Sequence, residues 1–168
     1  ATVGIVQIDL NCDVGEWIGT GISITDQALL AGVTSANIAC GGHAGDELTM
    51  QATVRFAVDH GVAIGAHPGF ADRTGFGRRE ISVTPQEIED LVTSQVELLR
   101  DVARNEGACV THVKPHGALY NLSARDASVA DAVARSIVRV DPGLTLFGLS
   151  GSKLLAAGRA MGLNVASE

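Results

Sequence analysis

Several features that mark other classes of protein are scarce in this sequence. No apolar stretch approaches the roughly 20 residues that a membrane span needs, and the first residues lack the basic and apolar pattern of a secretory signal. The net charge of −7 has the wrong sign for a surface that binds nucleic acid or anionic lipid. We therefore expect a globular, cytoplasmic protein that binds neither nucleic acid nor membrane.

Cysteine is equally scarce, and its placement excludes two kinds of structural site. The three cysteines are Cys12, Cys40 and Cys109, an odd number without any C-x-x-C spacing. They therefore form neither a disulfide framework nor a zinc finger, and they are typical of small buried residues in a reducing compartment. Cys12 or Cys40 as a nucleophile is a less favoured possibility, because no nearby sequence feature lowers the pKa of either thiol.

Lysine is the rare cation of this chain, with two lysines against ten arginines. One of them, Lys114, lies in segment 111–121, which also holds His112, His116 and the only tyrosine, Tyr120. An ammonium group is a compact point charge whose pKa responds to its surroundings, which a guanidinium does not offer. The segment is either part of a functional site or a turn with solvated side chains, and alone it favours neither.

Short apolar runs alternate with amphipathic segments along the whole sequence. The runs are typical of buried strands, and the segments place apolar residues at helical spacing. The predicted strands are 4–10, 33–40, 61–66, 107–110, 144–149 and 163–166, and the predicted helices are 26–32, 46–61, 84–107, 123–141 (with Ser123 as its cap) and 151–161. The strongest helix start is the capping box of Thr84 and Glu87, which has proline at the first helical position.

This alternation predicts an α/β fold with a parallel sheet covered by helices. The first predicted strand is not followed by G-x-G-x-x-G, and the sequence has no P-loop. Reactive side chains follow nearly every predicted strand, which favours a TIM-like β/α barrel over an open doubly wound sheet. A full barrel takes roughly 250 residues, so we expect residues 1–168 to form one barrel domain that lacks its last strands and helices.

Carboxylates, imidazoles and one ammonium are expected to meet at the mouth of this barrel. The side chains that follow predicted strands are Asp9, Asn11, Asp13, Glu16, His43, Asp46, His67, Lys114 and His116. Such a set is suited to general acid–base chemistry on a polar substrate. It is equally suited to a divalent metal ion that activates water, with Asp13, His43 and His67 as the candidate ligands.

Some of the polar residues have structural interpretations that compete with a role in the site. Asp46 is well placed to cap the following helix, and His60 at a helix end is expected on the surface. His112 is expected to pack outside the barrel, because neighbouring residues of a strand face opposite sides. Arg78 and Arg79 are either solvated loop charges or a clamp for a carboxylate or phosphate.

Five motifs of this sequence resemble the LamB/YcsF family, the A subunit of prokaryotic 5-oxoprolinase. In chain order they are residues 9–16 (DLNCDVGE), 35–46 (SANIACGGHAGD), 65–68 (GAHP), 75–79 (GFGRR) and 113–121 (VKPHGALYN). The resemblance implies a β/α barrel similar to that of polysaccharide deacetylases. It also implies ATP-dependent opening of 5-oxoproline to L-glutamate together with two further subunits, B and C.

The resemblance suggests roles for ten residues. The catalytic candidates are Asp13 or Glu16 to activate water, Lys114 to stabilise oxyanion or phosphate charge, and His43 or His116 to protonate the leaving nitrogen. The substrate-binding candidates are Asn11, Asp46, His67, Arg79 and Tyr120. Two alternatives stay open: a stand-alone metal-dependent hydrolase such as a deacetylase, and a subunit that binds a small anionic ligand without catalysis.

Overall fold

The computed structural model describes residues 8–17, 19 and 21–168. In chain order, its elements are β1 (Asn11–Val14), α1 (Ile24–Leu30), β2 (Ser35–Ala39), α2 (Glu47–Asp59), β3 (Ala63–His67), α3 (Pro85–Asn105), β4 (Val110–Val113), α4 (Gly117–Arg125), α5 (Ala127–Val140), β5 (Thr145–Gly148), α6 (Lys153–Ala160) and β6 (Asn164–Ser167).

The strands of this part of the chain form one parallel sheet in the order β1-β2-β3-β4-β5-β6. Each strand pairs with the next one in sequence, whereas a doubly wound sheet reverses its order at a switch point. The predicted α/β fold with a parallel, barrel-type sheet is therefore confirmed, and the six strands form a half-barrel covered by helices.

The outer face of the half-barrel is apolar and packs against the helices. Ala36, Ile38, Ile64, Ala66, Val113 and Leu146 alternate with inward-facing residues along the strands and are buried. The helices contribute Val54, Val92, Leu99, Val133 and Ile137 to the same core, all with no exposed surface. Each such aliphatic side chain stabilises the fold by about 1.5–3 kcal/mol on burial, so this layer holds the strands in register.

Polar side chains at the predicted positions begin α2 and α3, whereas α5 begins after Asp126 and not after the predicted cap Ser123. Helix α3 starts with the predicted capping box, in which Thr84 and Glu87 each bond the other's backbone N–H. Asp46 accepts from the backbone N–H of Thr49 at the start of α2, and Asp126 caps α5 in the same way. Each of these bonds satisfies a donor that a helix leaves unpaired at its first turn.

The inner face of the half-barrel carries a row of aligned polar residues. Asp13, Asn37, Gly65 and His112 are successive register partners on β1, β2, β3 and β4. Asn37 donates to Asp13 Oδ1 at 2.8 Å, and its Oδ1 lies 2.9 Å from His112 Nε2. A Cβ at Gly65 would lie 2.0 Å from His112 Nε2, so only glycine leaves room for the imidazole.

The expectation that His112 packs outside the barrel is therefore wrong. Its ring is 2% exposed on the concave face and stacks on Phe147 with centroids 4.4 Å apart. The alternation of the strand was right, but the faces were reversed, because Val113 takes the position against the helices. Burial lowers the pKa of His112 to about 4, so this imidazole is a neutral member of the inner layer.

The first strand lies further along the chain than predicted. Residues 4–7 of the predicted strand are outside the described residues, residues 8–10 have no regular structure, and β1 begins at Asn11. Its polar residues are accommodated because they face the polar inner row. Asp9 Oδ1 accepts from the hydroxyls of Thr34 and Ser35, at the start of β2, so the placement of Asp9 at the mouth is also wrong.

Helices α4 and α3 each correct or complete the predicted set of helices. Helix α4 follows His116 and was not predicted, and it includes Ser123, which was expected to cap the next helix. Helix α3 is the longest helix among the described residues. None of the helices in this part of the chain is both long enough and apolar enough to cross a membrane.

Candidate active site

The carboxyl ends of the first four strands carry most of the side chains that were predicted for the site. These are Asp13 on β1, Glu16 beyond it, His43 after β2, His67 at the end of β3, and Lys114 and His116 after β4. The carboxyl ends of parallel strands meet at one rim of a barrel. The structure accordingly brings all six side chains to one mouth.

Three imidazoles and one carboxylate form the centre of this mouth. Glu16 Oε1 lies 3.1 Å from His43 Nε2, 3.4 Å from His116 Nδ1 and 4.0 Å from His67 Nε2. His67 Nε2 and His116 Nδ1 are 3.1 Å apart. The four atoms lie within 4.8 Å of one another, so Glu16, His43, His67 and His116 could hold a metal ion.

Asp13, which was a candidate metal ligand, lies beside this group and is not one of the four. Its Oδ2 is 3.4 Å from His67 Nε2, and its Oδ1 is 3.5 Å from the Nζ of Lys114. Burial acts to raise the pKa of Asp13, but the contacts with His67 and Lys114 outweigh it and hold that pKa well below its usual range. Asp13 is therefore an ionised carboxylate at neutral pH.

The three histidines are buried, and burial favours the neutral forms of His43 and His116. His43 is 1% exposed, His67 1% and His116 5%. Burial and the neighbouring histidines lower the pKa of His116 to about 4, and burial lowers the pKa of His43 although Glu16 opposes this. Burial acts to raise the pKa of Glu16, but the contacts with the three imidazoles lower it overall.

Packing fixes the orientations of these rings. The rings of His43 and His116 stack with centroids 3.6 Å apart and planes 6° from parallel. A Cβ at Gly69 would lie 2.8 Å from His43 Nδ1 and 3.2 Å from His116 Cβ, so the backbone approaches both rings closely. The cluster is thus held by its surroundings before any ligand binds.

Sequence reasoning missed Glu168, which completes the other side of the mouth. Its carboxylate accepts from Asn11 Nδ2 at 2.9 Å and from the Tyr120 hydroxyl at 3.1 Å, and it lies 3.0 Å from the Nζ of Lys114. Burial and the charge of Glu168 raise the pKa of Tyr120. The rule that barrel sites collect at strand ends was the available signal, because Glu168 directly follows β6.

Two pockets flank the histidine cluster. One has a volume of about 270 Å³ and is lined by polar groups of Asp13, His67, Lys114, Tyr120 and Glu168, among others. The other has a volume of about 340 Å³ and is lined mainly by apolar surface around Trp17, Phe76 and Arg73, with Glu16 and His43 at its inner end. Both volumes suit small molecules rather than extended chains.

Two of the predicted substrate-binding residues are engaged elsewhere. The carboxylate of Asp46 bonds Thr49 at the start of α2 and has no contact with the histidine cluster. Arg79 forms an ion pair with Asp72 and donates to Thr74 within its own loop. His67, Tyr120 and Asn11, in contrast, all reach the mouth.

The cysteines provide no nucleophile for this site. Burial raises the pKa of Cys12 to about 11, and burial raises the pKa of Cys40 to about 12. Both thiols therefore stay protonated at neutral pH, and the thiolate is the reactive form of cysteine.

Comparison with known proteins agrees with the motifs and the geometry. The model of the LamB/YcsF family matches residues 8–168. The chain belongs to the LamB/YcsF family. Among curated relatives, it is 55% identical over 161 residues to the 5-oxoprolinase A subunit of Geobacillus kaustophilus and 52% identical over 162 residues to that of Bacillus subtilis. Each alignment covers 96% of this chain but only 62% and 63% of the relatives.

Two solved structures have an architecture similar to that of this chain. A lactam utilization protein from Thermus thermophilus superposes with a TM-score of 0.92 at 42% identity, over 96% of this chain and 66% of that one. A candidate cellobiose-phosphate cleavage protein from Enterococcus faecalis gives a TM-score of 0.58 at 13% identity, over 94% and 65% of the two chains. The second likeness concerns the fold alone.

Proposed function

We propose that this chain provides the hydrolytic site of a 5-oxoprolinase, which opens the lactam of 5-oxoproline to L-glutamate. The observation that carries the proposal is the ionised Asp13 facing Lys114 at 3.5 Å, on a pocket of about 270 Å³ beside three buried histidines. The names of the relatives, a 5-oxoprolinase A subunit and a lactam utilization protein, support it. The chain spans less than two thirds of those curated relatives.

Ring opening requires a base, a stabiliser of oxyanion charge and a proton donor. In our proposal Asp13 takes a proton from water as the water oxygen bonds to the lactam carbonyl carbon. Lys114 stabilises the negative charge that develops on the carbonyl oxygen. When the carbon–nitrogen bond breaks, Asp13 returns the proton to the nitrogen. The low pKa of Asp13 makes its protonated form a ready donor at this step, but it also makes the carboxylate a weak base for the first step, so activation of the ring would be needed there.

The polar pocket matches the substrate in size and chemistry. Its volume of about 270 Å³ lies just below the range typical of drug-sized ligands, which suits a five-membered ring with one carboxylate. Tyr120 and Asn121 line it and offer hydrogen bonds to the ring amide. We propose His67 and Asn11 as residues that orient Asp13 and Lys114, since each contacts one of them.

ATP belongs to the proposal as a substrate of the whole complex. A lactam is a stable amide, and phosphorylation of its oxygen would make the carbonyl carbon easier to attack. We propose that subunits B and C join this chain to transfer the γ-phosphate of ATP to the lactam oxygen, with release of ADP. Water activated by Asp13 then bonds to the ring carbon, the carbon–nitrogen bond breaks, and the acyl phosphate that results is hydrolysed to L-glutamate and inorganic phosphate. Lys114 stabilises the charge of the phosphate in these steps. The naming of the relatives as A subunits supports a complex of several chains.

A metal-dependent amide hydrolase is the second candidate, and the histidine cluster favours it. Glu16, His43, His67 and His116 have the donor types and spacing of a divalent metal site. A divalent ion bound there would supply a Lewis acid that polarises a carbonyl oxygen or a bound water. Turnover that needs no ATP and no partner, and that stops with a chelator, would select this candidate.

The decisive experiment is 5-oxoproline turnover by the full-length protein reconstituted with its partner subunits, with and without ATP. The Lys114→Met variant should lose about 10²–10³-fold in kcat because the oxyanion loses its charged partner. Lys153→Met, which removes the exposed lysine of α6, is the matched control and should keep full activity. Normal turnover by Lys114→Met would instead indicate a subunit that binds a ligand without catalysis.

A further inference from the structure

We propose that Glu16, His43, His67 and His116 bind a transition metal ion that prefers nitrogen ligands, such as Zn²⁺, and that this ion is distinct from the Mg²⁺ that accompanies ATP. Ion binding by these residues does not depend on which reaction takes place at the mouth. The orientation of two imidazole rings and the spacing of four donor atoms support it.

Two backbone carbonyls determine where the imidazole protons lie. His67 Nδ1 is 2.7 Å from the carbonyl oxygen of Lys114, and His116 Nε2 is 2.8 Å from the carbonyl oxygen of Phe76. A carbonyl oxygen only accepts hydrogen bonds, so both of these ring nitrogens carry the proton. The other nitrogens, His67 Nε2 and His116 Nδ1, are therefore the ones that can present lone pairs to an ion.

These two lone pairs face each other at the centre of the mouth. His67 Nε2 and His116 Nδ1 are 3.1 Å apart, and Glu16 Oε1 lies 3.4 Å from the latter. Two nitrogens that both present lone pairs at this distance repel each other unless a cation lies between them. The arrangement therefore suits a cation shared by the two rings and Glu16.

The spacing of the four donors agrees with a shared ion. Two ligand atoms that are each about 2.0–2.1 Å from a tetrahedral zinc ion lie roughly 3.3 Å apart. Glu16 Oε1 lies 3.1 Å from His43 Nε2 and 3.4 Å from His116 Nδ1, and the two facing imidazole nitrogens are 3.1 Å apart. Glu16 Oε1 and His67 Nε2 are 4.0 Å apart, and all four atoms lie within 4.8 Å, so the cluster would contract slightly around a bound ion. Metal-binding histidines usually donate their second N–H to a carbonyl or carboxylate, as His67 and His116 do here.

The donor set also indicates which ions the site selects. Three imidazoles and one carboxylate suit Zn²⁺, Co²⁺, Ni²⁺ or Fe²⁺, whereas Mg²⁺ prefers six oxygen ligands and keeps several waters. The rings are already stacked and buried, so little rearrangement is needed to bind the ion. A magnesium ion that arrives with ATP would find too few oxygen atoms in this cluster.

The test is metal binding by the full-length protein after its metal has been removed. Co²⁺ is the probe, because its visible absorption reports coordination independently of activity, and Zn²⁺ is the competitor. We expect one Co²⁺ per chain, displaced by Zn²⁺ but not by Mg²⁺ in large excess. Glu16→Gln and His67→Gln should bind Co²⁺ at least about tenfold more weakly. His60→Gln, which changes an exposed histidine that stacks on Phe56, should bind normally.

Three results would overturn the inference: no Co²⁺ binding, equal binding by the site variants and His60→Gln, or displacement by Mg²⁺. Nitrogen NMR of the imidazole rings in the Zn²⁺-bound wild type gives a check that does not depend on variants. We expect protons on His67 Nδ1 and His116 Nε2, and a Zn²⁺-bound form in which the ion is on those two nitrogens instead would contradict the site. Metal binding without 5-oxoproline turnover would support this inference and contradict the proposed reaction.

Discussion

Glu168 Oε1 lies 3.0 Å from the Nζ of Lys114, so the residue that follows the sixth strand meets the residue that follows the fourth. The same carboxylate accepts from Asn11 on the first strand and from Tyr120 on α4. Burial acts to raise the pKa of Glu168, but these donors lower it overall. One carboxylate thereby joins distant elements into a single wall of the mouth.

Glu168→Gln should lower the pKa of Tyr120. The glutamine keeps the size of the side chain but removes the negative charge that opposes ionisation of the phenol. Carbon NMR of the labelled tyrosine ring across a pH titration measures this shift. Glu97→Gln, at an exposed position of α3, is the control and should leave the titration unchanged. Identical titrations of Tyr120 in the two variants would show that Glu168 exerts no charge effect there.

Gly69→Ala should destabilise the protein by about 1–3 kcal/mol, the usual cost of forcing extra volume into a packed region. The new Cβ would lie 2.8 Å from His43 Nδ1, and the buried His43 ring has little room to move. Denaturation by urea measures the change. Gly32→Ala is the matched control, because its Cβ would meet nothing closer than 3.7 Å. Equal stability of the two variants would contradict the close packing around His43.

Arg79→Gln should destabilise the folded state at neutral pH and leave the KM for 5-oxoproline unchanged. The guanidinium of Arg79 holds the pKa of Asp72 at about 2, below the ordinary 3.8. Because the pKa of Asp72 is lower in the folded chain than in the unfolded chain, its ionised form stabilises the folded state above about pH 4. This contribution is lost as the pH falls towards 2 and Asp72 becomes protonated.

Urea denaturation of the wild type and Arg79→Gln across that pH range measures the effect. The difference between them should shrink steadily on acidification. A difference that stays constant with pH would mean that the ion pair with Asp72 does not contribute. A raised KM would restore Arg79 as a substrate-binding residue.

Local patterns in the sequence were sufficient to predict most of the fold. Strands β2, β3, β5 and β6 lie within two residues of their predicted positions, because β-prone apolar runs bounded by glycine or polar turns mark them clearly. The capping box of Thr84 and Glu87 marked the start of α3 because its bonds involve only neighbouring residues. The order of the strands followed from the regular β-α alternation.

The misplaced features depend on contacts between distant parts of the chain. Asn11 and Asp13 were placed after the first predicted strand, because the sequence alone does not show that Asn37 of β2 provides hydrogen bonds for them on a polar inner face. His112 needed the space beside Gly65, which no local pattern reveals. The sequence was sufficient to predict that residues after the strands lie at one mouth, because the carboxyl ends of barrel strands meet there. It was not sufficient to predict which of these residues form hydrogen bonds or ion pairs with each other.

The most direct test of the central claim is the rate of glutamate formation by the reconstituted complex that contains Asp13→Asn in the full-length chain. Asparagine preserves the shape of Asp13 and its neighbours but can neither accept the proton of water nor return it. With ATP present, we predict a fall in kcat of about 10²-fold or more relative to the wild type. Glutamate formation within a few-fold of the wild-type rate would contradict the claim that this mouth opens the lactam.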